Sequence, residues 1–85
     1  MSKEDGKVTV EIFGETYVLR GTEDPEYIQK LVHEVDKKMR LTAQHFPRLA
    51  AHQVAILVAL NLEDDLEKLQ EEQETLMQML GEQTE

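Results

Sequence analysis

A chain of 85 residues holds one small domain whose core is marginal alone, a size that favours assembly with further copies. The absence of cysteine excludes disulfides and thiolate metal sites, and a net charge of −9 argues against nucleic acid, whose phosphates are gripped by clustered Lys and Arg. No apolar run has signal-peptide form or approaches the roughly 20 residues of a membrane span, so the sequence reads as a soluble cytoplasmic protein without direct membrane insertion.

Residues 1–6 are polar and are expected to form a disordered start. Residues 7–61 follow as an α/β head. Lys7 to Phe13 alternates, with Val8, Val10 and Ile12 on one side, and Glu15 to Arg20 returns after Gly14. A two-residue Gly14-Glu15 loop places glycine at the first central position, where positive φ is required. That register sets Ile12 opposite Tyr17, Val10 opposite Leu19 and Val8 opposite Gly21 on one apolar face. Phe13 with Thr16, Glu11 with Val18 and Thr9 with Arg20 occupy the mixed face. A lone hairpin is barely stable in water, so its apolar face needs a helix over it.

Asp24-Pro25 opens the first helix, with aspartate as cap and proline at the first helical position. Ile28, Leu31, Val32, Val35, Met39 and Phe46 form its apolar stripe, with Thr42 or Ala43 between. Glu34 to Lys38 and Asp36 to Arg40 stand at i,i+4 spacing outside. Pro47 stops the helix near His45. The second helix starts without a Ser or Thr cap at Ala50 or Ala51. Residues Val54 to Leu60 are apolar all the way round, which predicts burial on most sides at the centre of the head.

From Leu62 the apolar residues fall into heptads. Leu66, Gln73 and Leu80 take position a, and Leu62, Leu69 and Leu76 take position d. Residues 62–80 therefore read as a coiled-coil segment continuous with the second helix, with Gly81 ending it and 81–85 as a tail. Ala50 to Leu80 contains no Gly or Pro and spans roughly 46 Å as a helix. A compact domain of this size has a radius of gyration of only about 12 Å. The helix must project, and its leucine seam needs another chain. Gln73 is a polar residue in that seam, able to fix register and strand number. Met77 and Met79, at e and g, widen the apolar face toward the C-terminal end, which favours a tetrameric contact over a bare dimer. Assembly is assigned to Leu62, Leu66, Leu69, Gln73, Leu76, Met77 and Leu80.

Charge divides the chain: residues 1–61 carry a net −1 and residues 62–85 a net −8, with Lys68 the one base of the rear. Lys37, Lys38, Arg40 and Arg48 form a small basic group around the end of the first helix and the loop after it, suited to an acidic partner segment. Arg20 and Glu15 on the hairpin are exposed and available too. No catalytic constellation is visible: Ser2 is the only serine, and His33, His45 and His52 lack zinc-type spacing. The abundant carboxylates fall on solvated helix faces. The reading is a protein that is not an enzyme and needs no cofactor.

Several phrases, taken together, resemble the bacterial cell-division ZapA family in its short form: V-T-V-E-I-F-G-E-T-Y at 8–17, D-P-E-Y-I at 24–28, V-D-K-K-M-R at 35–40, P-R-L at 47–49 and V-A-L-N at 58–61, followed by an acidic leucine helix. The resemblance covers about residues 7 to 80. It implies an α+β fold: an N-terminal β-hairpin and short helix packed on a long C-terminal helix that extends into an oligomeric coiled coil. It also implies a non-enzymatic factor that binds the tubulin-like protein FtsZ at the mid-cell division site and cross-links its protofilaments. Family members assemble as dimers, and two dimers join through their coiled coils. The FtsZ contact is attributed to charged head residues, for which Glu15, Arg20, Lys37, Lys38, Arg40 and Arg48 are the candidates. Some members carry a basic residue directly after the hairpin glycine, where this chain has Glu15. The residues alone also admit a prefoldin-like coiled-coil chaperone, although prefoldins place the hairpin between two long helices. A strand-helix-helix DNA-binding regulator and a generic homo-oligomeric adaptor are the other readings.

Overall fold

The computed structural model describes residues 6–83. Most of the predicted disordered start and the end of the predicted tail lie outside them. Two antiparallel strands, β1 (Lys7–Ile12) and β2 (Glu15–Arg20), are followed by two helices, α1 (Pro25–His45) and α2 (Ala51–Gln83). The expected α+β order of hairpin, shorter helix and long helix is therefore observed.

The hairpin register differs from the expected one. Its turn is Phe13-Gly14, with φ of 51° and 84°, and Ile12 pairs with Glu15, Val10 with Tyr17 and Val8 with Leu19. Positive φ at both central residues is the type I′ turn, whose twist matches that of the flanking strands. Glycine occupies its second central position rather than the first, which moves the pairing by two residues. A two-residue move keeps parity, so Val8, Val10, Ile12, Tyr17 and Leu19 remain on one face as the alternation requires. Gly6, placed in the disordered start by the sequence, extends the ladder: its carbonyl accepts from the Gly21 N–H at 2.8 Å. A Cβ at Gly6 would lie 2.7 Å from the Gly21 oxygen, so the close approach of the two backbones depends on glycine there.

Asp24 caps α1 as expected, its Oδ1 accepting from the Glu26 N–H at 3.2 Å, with Pro25 at the first helical position. The helix ends at His45, and Phe46 is turned out of helical geometry at φ −131°, ψ 70°, because proline follows it. Phe46 thereby leaves the apolar stripe and is exposed, as is Leu31. The first turn of α2 has a cap after all, supplied from inside the helix. Gln53 reaches back to accept from the Ala50 N–H at 2.9 Å, the reciprocal half of a capping box. At its far end α2 runs through Gly81 to Gln83, past the glycine where the sequence places its stop.

The core is small. Met39, Val54 and Val58 are its buried centre, packed by Ile12, Phe13, Val35, Ala43 and Leu49, and Val10 and Val32 are buried as well. The apolar segment of α2 is not buried on most sides: Val54 and Val58 are 0% and 4% exposed, but Ile56 and Leu60 are 58% and 63% exposed. One chain covers only one side of this helix. With 33 residues, α2 is about 50 Å long. The radius of gyration is 17.9 Å within extents of 54 × 42 × 14 Å, so the helix projects from the head.

Candidate partner-binding and assembly surfaces

The charged head residues named by the sequence do not form one patch. Glu15 follows the turn and pairs with Ile12, whereas Arg20 ends β2 opposite Lys7, at the other end of the hairpin. Lys37, Lys38 and Arg40 lie within about one turn of α1, and Arg48 lies in the loop after it. The four bases are also not equally free. Arg40 donates from Nε to Asp36 Oδ2 at 2.9 Å, and Lys37 Nζ lies 3.9 Å from Glu34 Oε1. The expected Asp36–Arg40 pair is thus present, while Glu34 meets Lys37 at i,i+3 rather than Lys38 at i,i+4. Lys38 instead lines a hollow of about 240 Å³ between the helices, with Leu41, Thr42, Val58, Asn61, Leu62 and Asp65. Arg48 borders a second hollow with Phe46, Pro47 and Leu49. Lys38 and Arg48 are therefore the bases of this group without an ion pair to a described residue.

Asp36 is a residue the sequence undervalued. Its Oδ1 accepts from the Phe13 N–H at 2.7 Å while its Oδ2 takes the Arg40 guanidinium. It therefore ties the hairpin turn to α1 and holds Phe13 in the left-handed region, which a bulky side chain otherwise avoids. The Arg40 hydrogen bond first, and the Phe13 N–H second, keep its carboxyl below the usual carboxylate range. The contact joins residues 23 apart in sequence, and no local spacing announces it.

Along α2 the seam residues lie open. Leu62, Leu66, Leu69, Leu76, Met77 and Leu80 are all exposed, with Leu76 at 58%, and Gln73 is exposed among them. Lys68, the one base here, is taken by Asp64 of the same helix at 2.9 Å, which raises its pKa. Ile56 and Leu60 extend the uncovered apolar surface into the head. His45 Nδ1 lies 3.0 Å from the Leu41 carbonyl at the end of α1, as a helix C-terminus favours. Among the described residues no group of three His, Cys, Asp or Glu could hold a metal. No described helix is long and apolar enough to cross a membrane.

The fold defines a class: a small strand-and-helix head carried on a long projecting helix whose apolar stripe is uncovered. The family model described as Cell division protein ZapA matches residues 8–85, and the chain belongs to that family. A Cell division protein ZapA of Halalkalibacterium halodurans is 39% identical over 69 residues, covering 81% of this chain and 76% of that protein. One of Geobacillus sp. strain WCH70 is 39% identical over 74 residues, covering 87% and 85%. The solved structure of a ZapA mutant dimer from Geobacillus stearothermophilus superposes with a TM-score of 0.70 at 32% identity, covering 87% of this chain and 86% of that one.

Proposed function

We propose that this chain is a non-enzymatic division factor that binds FtsZ and cross-links its protofilaments at the mid-cell site. In this reading α2 pairs with a second copy, and two dimers meet through the widened end of the seam. A rod then carries heads at both ends, and weak head contacts add through multivalency. The observation that carries the reading is the uncovered stripe of leucine on α2 in a member of a division-protein family. Lys38 and Arg48 are the leading head contacts, and Lys37, Glu15 and Arg20 are the further candidates. Arg40 is assigned instead to holding the turn through Asp36.

Leu76→Glu separates binding from cross-linking. A carboxylate in the seam should lower the molar mass by half in light scattering. FtsZ should still bind the variant in a filter-retained polymer assay, but low-speed pelleting of bundles should be lost. Undiminished bundling by a protein of reduced mass would overturn bivalence as the mechanism.

A further inference from the structure

The hairpin leaves one edge open, and its chemistry specifies what fits there. In a two-residue hairpin the pair closing the turn exchanges hydrogen bonds and alternate pairs follow suit. Ile12–Glu15, Val10–Tyr17 and Val8–Leu19 are those pairs, and the Gly21 N–H to Gly6 carbonyl bond of 2.8 Å continues the phase. The residues between them turn their backbone groups outward. On β1 that outer edge is met by α1: Gln29 Nε2 donates to the Thr9 carbonyl at 3.2 Å, and the Phe13 N–H donates to Asp36 at 2.7 Å. On β2 the outward groups belong to Thr16, Val18 and Arg20, and no described residue outside the hairpin is hydrogen-bonded to them. Every β2 residue is exposed. The strand has no proline and no bulge to discourage pairing.

Charge supplies the second observation. Lys7 and Arg20 stand directly opposite one another on the outer face, and neither is ion-paired with a described residue. Like charges at that spacing repel. Between them and the turn, Val18 presents an apolar, β-branched side chain that is 63% exposed. We propose that the β2 edge is a docking strand for an extended acidic peptide segment of a partner protein. The segment adds a third strand through Thr16, Val18 and Arg20, packs a β-branched residue beside Val18, and brings a carboxylate to Arg20 and Lys7. A second copy does not meet these needs. Antiparallel pairing of two β2 strands about Val18 sets Thr16 of each beside Arg20 of the other and brings no acid to the cations. The inference shares Arg20 with the FtsZ reading but does not rest on it, because it concerns the chemistry of the segment and not the protein that supplies it.

The test uses the full chain, nitrogen-15 labelled, and a blocked seven-residue threonine peptide carrying one valine and one glutamate two residues apart, so that both lie on the same face of the added strand. Saturating peptide should slow amide exchange of Thr16, Val18 and Arg20 about tenfold, with little change at Tyr17 and Leu19, which already donate within the hairpin. Arg20→Glu should weaken binding about tenfold and transfer preference to the same peptide with lysine for glutamate. Methylating the alternate peptide nitrogens that face the strand should abolish binding. Fast exchange at all three amides with peptide present would overturn the proposal, as would full affinity of the methylated peptide. Protection of the three amides without any peptide would overturn it too, because a second copy would then hold the edge.

Discussion

Asp36 shows how one side chain governs a whole element. Without it, Phe13 would have no acceptor for an N–H that points away from β2, and the left-handed turn would lose its external support. Its carboxyl titrates below the ordinary range in the fold, so the native state prefers the ionised form. A depressed carboxylate contributes stability above the unfolded value of about 3.9 and loses it as pH falls through the folded value. Asp36→Asn should therefore lower the Tm at neutral pH, and its deficit against the wild type should shrink below about pH 4. Asp36→Ala, which removes the acceptor for Phe13 as well, should retain a deficit in acid. Parallel Tm curves for the wild type and Asp36→Asn across that range would contradict the assignment. The sequence shows Asp36 only as an i,i+4 partner of Arg40, because the contact that matters crosses from one element to another.

Among the elements, legibility followed the range of the interactions involved. The strand faces could be read because period-two alternation is local to β1 and β2, and the α1 limits could be read because Asp24, Pro25 and Pro47 act on their own backbone. The hairpin register could not, because Gly14 satisfies either central position of a two-residue turn, and Phe13 takes the other only with help from α1. The start of α2 was obscured for a different reason. Its cap comes from Gln53 in the third helical position, whereas Ala50, where a cap is sought, offers none. Gln53→Ala should lower stability by about 0.5–1.5 kcal/mol, the scale of one hydrogen bond, read from the urea midpoint. Gln53→Glu keeps the acceptor and adds a negative charge at a helix N-terminus, so it should match or exceed the wild type. Equal losses in the two variants would show that Gln53 acts through packing rather than as a cap.

On the scale of the whole molecule the two ends obey electrostatics of opposite sign. The projecting half of α2 is crowded with carboxylates, and Asp64 takes its only lysine within the same helix. Asp65 and Glu72 at g and Glu63 at e would face one another across the proposed paired seam, so assembly there would proceed against repulsion between exposed charges. Such repulsion is screened once the Debye length falls toward 10 Å. Raising salt from about 20 to about 200 mM should therefore increase the molar mass at fixed protein concentration. The neutralised triple variant Glu63→Gln, Asp65→Asn, Glu72→Gln should show the larger mass already at low salt. The head behaves the other way in the proposed contact with FtsZ, where Lys38 and Arg48 meet an acidic surface. The same salt should weaken filament binding, and reversing both bases to glutamate should remove most of that dependence while leaving the molar mass unchanged. Bundling, which needs both ends, should then pass through a maximum at intermediate salt. A mass that falls as salt is added would remove the repulsive seam from this account, and a bundling signal that only rises would remove the charged head contact.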